Sequence, residues 1–227
     1  MRRKLFFVVF GSILFFSCSE NKEQTNKGDN IGGNSQTNEN KISAGQTVLD
    51  PAEYIEWMRN EDNGFRKEKT VDDLTFTVQY KTQEYIACIE QRGDPLPDSI
   101  LKRKSKELEG MEYYDFKISM NDGAGELLKY KLETNQQYND RVNYFAFGMQ
   151  KDIVLMDGKD SIPCGLYHFE RAYDVSPTAV VLLGFPASKK NNSDKTLIVY
   201  DRTFNKGTLK FMFKANELNN KPKLQTL

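Results

Sequence analysis

The chain is poor in the residues that most catalytic and metal centres use. It has one histidine, His168, one tryptophan, Trp57, and three cysteines, Cys18, Cys88 and Cys164. Two of those cysteines and a single histidine do not make a zinc pattern, so no metal site and no cofactor is expected. The sequence holds no G-x-S-x-G elbow, no phosphate-binding loop, no dinucleotide fingerprint and no H-E-x-x-H pair. Charge of one sign is also missing. Lys and Arg number 32 and Asp and Glu 32, which leaves no basic footprint for nucleic acid. The longest apolar run, Leu5 to Phe16, is too short to span a bilayer as a helix, which takes about 20 residues. No internal repeat is present.

What is present begins at the first residues, MRRKLFFVVFGSILFFSCSE. Arg2, Arg3 and Lys4 form a basic head, the apolar run follows, and small Ser17 precedes Cys18. That order resembles a bacterial lipoprotein signal peptide. The resemblance implies cleavage after residue 17 and a lipid on the Cys18 thiol. The third residue before the cysteine is Phe15 where Leu is usual, with Leu14 one place further back. Ser19, rather than Asp, follows the cysteine, which by analogy with enteric bacteria points away from the inner membrane and toward the outer membrane. The first 17 residues hold three basic and no acidic side chains, so the remainder has 29 basic against 32 acidic groups.

Residues 18–47 are rich in Asn, Lys, Glu, Gln, Gly, Ser and Thr and nearly empty of apolar side chains. Such a stretch cannot bury enough surface to offset its ordering entropy, and is expected to be a disordered tether. A flexible chain of that length spans ~30 Å on average. Residues 48–220 are expected to form one β-rich domain, and 221–227 a frayed tail.

Asp50-Pro51-Ala52-Glu53 is a strong helix start, with an acidic cap, Pro at the first position and Glu three residues after the cap. Tyr54, Ile55 and Met58 share one face, and Trp57 is expected to pack beside Tyr54 rather than serve as a ligand platform. Phe76, Val78 and Tyr80 alternate with polar residues, the period of a half-buried strand. Thr82–Arg92 and Pro97–Leu108 read as helices. The second carries Lys102, Arg103, Lys104 and Lys106, expected to be a solvated face. Beyond it the chain turns toward β. Strands are expected through Tyr114–Met120, Leu128–Leu132, Phe145–Met149 and Ile153–Met156, with Tyr138 in a short helical turn. A hairpin at Asp157-Gly158 should return through Ile162–Phe169. Thr178–Phe185 reads as a strand buried on both faces. Leu197–Tyr200 and Leu209–Phe213 complete the set. Strands returning by turns imply antiparallel pairing. The fold class is therefore α+β: mainly antiparallel sheet, or a two-layer β-sandwich, with two or three N-terminal helices packed on it.

Two stretches, PAEYIEWMRNEDNGF with TFTVQYKTQEYIAC and IPCGLYHFERAYDVSPTAVVLLGFP, resemble a family of uncharacterised lipoproteins from Bacteroidetes. The resemblance covers nearly all of the expected domain. It implies an envelope address and adds nothing on mechanism.

Candidate chemistry is sparse. Cys88 and Cys164 lie in a chain expected to reach a compartment that permits disulfides. They either pair or, as is commoner, are buried as free thiols. Cys164 and His168, in PCGLYHFER, are the one nucleophile–base candidate. On a strand they share a face but sit roughly 13 Å apart, at ~3.3 Å per residue. His168 is better read as a packed histidine partnered by Glu170 or Asp174. Asp72-Asp73 and Asn121-Asp122-Gly123 carry oxygen ligands, but in turn spacing rather than that of a calcium loop. These observations favour a lipid-anchored envelope protein that binds a protein or glycan. The other readings are an envelope hydrolase whose site is assembled from distant residues, and an assembly factor of a secretion or motility system.

Overall fold

The structure is a computed structural model, and it describes residues 47–170, 176–188 and 192–227. The signal segment, Cys18, nearly all of the tether and Asp174 lie outside the described residues. In chain order the elements are β1 (Val48–Leu49), α1 (Pro51–Arg59), β2 (Arg66–Val71), β3 (Leu74–Lys81), α2 (Gln83–Glu90), α3 (Asp98–Glu107), β4 (Met111–Met120) and α4 (Asn135–Asn143). They continue with β5 (Ile153–Asp157), β6 (Asp160–Pro163), β7 (Leu166–Glu170), β8 (Thr178–Pro186), β9 (Lys195–Tyr200), β10 (Thr208–Phe213), α5 (Ala215–Leu218) and β11 (Lys223–Leu224).

Two antiparallel sheets form a sandwich. One has the order β2-β3-β4-β8-β7 and the other β10-β9-β5-β6. Alternation along each strand turns one set of side chains inward. Phe76 and Val78 of β3, Phe116 and Ile118 of β4, and Val181 and Leu183 of β8 meet Leu155 of β5, Leu197 of β9 and Phe211 of β10 in one buried cluster. Aromatic rings bridge the layers, with centroids 6.3 Å apart for Phe116–Phe211 and 5.6 Å for Tyr114–Phe213. A second cluster, built on Tyr54, Met58, Phe65, Tyr85 and Cys88, packs α1 and α2 together, and Tyr80 touches both clusters. This is the α+β class read from the sequence, with a sheet sandwich and, among the described residues, three of five α-helices at the N-terminal end.

The helix caps form as their residues dictate. Asp50 accepts from the Glu53 amide at 2.9 Å, and Glu53 accepts from the Asp50 amide at 3.2 Å. Thr82 accepts from the Tyr85 amide and starts α2.

Several expectations give way. Leu128–Leu132 forms no strand. Leu127–Lys129 is a 3-10 turn, and the Arg141 guanidinium takes the Leu128 and Tyr130 carbonyls at 3.2 and 2.7 Å, satisfying groups that a ladder would otherwise use. Phe145–Met149 is helical too, a π-helical turn at Tyr144–Gly148 continuing α4. Phe145 and Met149 are four residues apart and buried, while Phe147 is 79% exposed. The outer pair of an i, i+2, i+4 pattern also fits one face of a helical turn, and here the helix wins, leaving Phe147 on the opposite face. The return strand Ile162–Phe169 is two strands. β6 belongs to one sheet and β7 to the other, and the chain crosses between them at Cys164-Gly165. Pro163 has no amide to extend the first ladder, and the Gly165 amide joins the second through the Gly184 carbonyl at 2.9 Å. β8 is fully buried on one face, at Ala179, Val181, Leu183 and Phe185, and on the other Val180 and Leu182 are half-buried while Gly184 is covered. β2, sequence RKEKTV, carries no apolar alternation, and it pairs along one edge of β3 through its backbone.

The tail is tied down rather than frayed. β11 runs parallel to β1, with Lys223 and Gln225 amides donating to the Thr47 and Leu49 carbonyls. The Leu227 amide donates to the Leu96 carbonyl at 3.0 Å.

Candidate functional site: a charge-paired cleft at one end of the sandwich

A cleft of about 320 Å³ opens where the end of β3 and the start of α2 meet the starts of β4 and β9 and the segment around α5. Its lining includes Thr82, Gln83, Glu84, Glu112, Lys195 and Lys221. The floor is ionic. Lys195 Nζ donates to Glu112 Oε1 at 2.8 Å and to Asp157 Oδ2 at 3.2 Å. The three side chains are 10%, 11% and 0% exposed. Glu112 lies on β4 in one sheet, and Asp157 and Lys195 on β5 and β9 in the other, so the ammonium fastens the two layers together. Burial works against the Asp157 carboxylate, but the hydroxyls of Ser193 and Ser188 and the Lys195 ammonium outweigh it and hold its pKa below the usual range. The buried Tyr114 hydroxyl donates to Glu112 Oε2 at 3.3 Å, and burial, then the Glu112 charge, pushes its pKa well up.

The rim repeats the pattern. Lys221 meets Glu84 at 2.5 Å, and Lys81 meets Asp115 at 3.0 Å. Burial acts to raise the Glu84 pKa, yet Lys221 brings it below its ordinary value. The cleft can offer charge-assisted donors and acceptors side by side. No floor carboxylate is left without a cation.

The residues singled out in the sequence lie elsewhere. Cys164 is buried, and its Sγ donates to the Leu166 carbonyl at 3.0 Å. Burial pushes that thiol up to about 11. His168 stands on the exposed outer face of β7, opposite Leu182, while Tyr167 and Phe169 turn inward. Thiol and imidazole are therefore not brought together, and His168 is not a packed core residue. Cys88 is buried among the helices and Cys164 in the sandwich, and both are free thiols, so the disulfide is not formed. Trp57 is half-buried and packs against the cluster that holds Tyr54, its ring centroid 5.5 Å from that of Phe65. Asp73 is occupied by the Tyr130 hydroxyl and by Lys131, and Asp72 by Lys206 at 2.6 Å. On α3, Lys102 pairs with Asp98, Arg103 with Glu107 and Lys104 with Glu90. Among the described residues no group of three His, Cys, Asp or Glu side chains is placed to hold a metal ion, and no helix is long and apolar enough to cross a membrane.

One signal in the sequence points to the cleft. Extending each inward alternation by two places reaches a charge: Asp157 after Ile153 and Leu155, Lys195 before Leu197 and Val199, Glu112 before Tyr114 and Phe116.

The fold and cleft define an α+β sandwich domain with a polar cleft at one end. No protein-family model matches the chain, and no curated protein sequence matches it. Solved structures that resemble it in part include two from bacteria. A DUF4426 family protein from Pseudomonas aeruginosa PAO1 shares 9% identity over 66% of this chain and 91% of that one, with a TM-score of 0.32. A "putative lipoprotein" from Staphylococcus aureus subsp. aureus NCTC 8325 shares 13% identity over 71% of this chain and 99% of that one, with a TM-score of 0.29. Scores this low carry no statement about activity.

Proposed function

We propose that the chain is a lipoprotein of the bacterial cell envelope, held at the outer membrane by acyl chains on Cys18, and that its α+β domain is a binding module. The lipobox order through Cys18 and the polar stretch behind it support the anchor and tether. The observation that carries the binding role is the Lys195–Glu112 pair on the cleft floor, backed by the fully buried Asp157. Its ammonium is committed to two carboxylates, and each carboxylate is committed to a cation and a hydroxyl. Groups so held present fixed hydrogen-bonding partners. A general base needs a carboxylate or amine free to take a proton from its substrate. The test is Cys18→Ser followed by fractionation and mass spectrometry. The wild-type chain should sediment with membranes and carry fatty acyl mass, and the variant should do neither. A variant that stays with membranes overturns the anchor.

A protein partner is favoured as a second reading by the outer face of β5, β9 and β10. There Val154, Met156 and Ile198 are half-exposed, with Tyr200 46% and Met212 53% exposed. Met212→Lys should abolish stoichiometric recovery of such a partner from solubilised envelope.

A further inference from the structure

We infer that the cleft takes a neutral, hydroxyl-rich ligand: one or two rings of a saccharide. This rests on the binding-module reading and names its ligand class. The first ground is charge balance. The lysines at the cleft, Lys81, Lys195 and Lys221, each sit within 3.2 Å of a carboxylate. An anion would compete with carboxylates already seated on those ammoniums, and a cation would meet the ammoniums themselves. A neutral polar ligand meets neither obstacle.

The second ground is the kind of hydrogen bond on offer. A hydroxyl both donates and accepts, and a vicinal pair does so at two adjacent points. Glu112 and Lys195, 2.8 Å apart, present an acceptor and a donor at that spacing. The ammonium has three protons, of which Glu112 and Asp157 take two, leaving one for a ligand oxygen. Neutral amide and hydroxyl groups of Gln83, Asn219 and Thr82 extend the polar lining, and Leu218 and Met111 add apolar surface for ring C–H groups.

The third ground is size. A volume of about 320 Å³ lies at the small end of ligand sites, which run ~300–1,000 Å³, and suits one or two rings rather than a long chain. The fourth is cost. A desolvated ionic trio is no aid to stability compared with apolar packing of the same volume, so a role in recognition accounts for its place at the cleft floor.

The experiment uses the full lipidated chain in a sugar-free polyoxyethylene detergent. Maltose, cellobiose and N,N′-diacetylchitobiose are titrated by calorimetry, with inorganic phosphate and spermidine as the charged probes. Hydrogen-exchange mass spectrometry maps the contact. At least one disaccharide should bind with a Kd of about 1 mM or tighter, slowing exchange in segments 80–84, 111–113 and 193–195. Glu112→Gln should weaken binding at least tenfold. Gln83→Ala, a milder change at the mouth, should weaken it about threefold with an unaltered melting temperature. The inference is overturned if no disaccharide binds, if phosphate or spermidine binds in the cleft instead, if protection falls elsewhere, or if both variants bind sugar like the wild type. The membrane-anchor part of the proposed function stands or falls separately on the Cys18→Ser fractionation.

Discussion

Lys195 and Glu112 meet at 2.8 Å across the mouth of the sandwich, one from each sheet, with side chains nine-tenths buried. Removing one partner of a desolvated pair strands the other charge, which costs about 3–5 kcal/mol. Lys195→Met strands two carboxylates, so urea unfolding should show a loss at the upper end of that range. A loss under about 1 kcal/mol would mean that water reaches the pair and screens it.

Asp73 offers a pH-dependent test away from the cleft. The Tyr130 hydroxyl first, and Lys131 second, hold its carboxyl down at about 2, against an ordinary value of 3.8. A folded pKa below the unfolded one stabilises the fold above the unfolded value. That contribution is lost as pH falls from about 4 through about 2. Tyr130→Phe removes the leading cause, so carboxyl NMR titration should show the Asp73 pKa rising toward 3.8, and the variant's stability should fall less steeply over that window.

The two core thiols should resist modification. Burial, followed by the Glu84 charge, pushes Cys88 up to about 12, and burial pushes Cys164 up to about 11. The thiolate is the reactive form, and an unfolded thiol titrates near ~8.5. In the Cys18→Ser chain at pH 8, alkylation of both should be at least ~100-fold slower in buffer than in denaturant. Two thiols should titrate after unfolding without reductant; finding none would show a disulfide.

Gly184 marks the place where β7 joins its sheet. A Cβ built there would lie 3.0 Å from Leu166 Cβ and 3.1 Å from Met111 Cε. Gly184→Val should overpack this contact and cost ~1–3 kcal/mol in thermal unfolding. The loss should appear first as faster amide exchange along β7.

Local rules made much of the fold legible. The cap at Asp50, a strand through Phe76, Val78 and Tyr80 and a hairpin just after Asp157 are decided by residues within a few positions of one another, and all three form, although Thr77 and Gln79 on the other face of that strand are buried as well. Errors came where local pattern was degenerate or silent. Phe145, Phe147 and Met149 fit two periods, and β2 has no apolar pattern at all because its place is set by the open edge of β3. The switch at Cys164-Gly165 depends on which sheet has an edge available at that point, a property of the assembled layers.

The candidate site was less legible than the fold. By itself the sequence determined the expected address, the α+β class and the strand character of β3, β4, β5 and β9, since each follows from side-chain chemistry and local pattern. Only the tertiary structure decided that Glu112, Asp157 and Lys195 converge. They stand up to 83 positions apart in the chain, and two sheets must pack before their inward ends share one dehydrated space. Attraction between ions that far apart in sequence is negligible in an open chain under salt screening, so it is the packing of the two sheets that brings them together and then makes each charge need its partner.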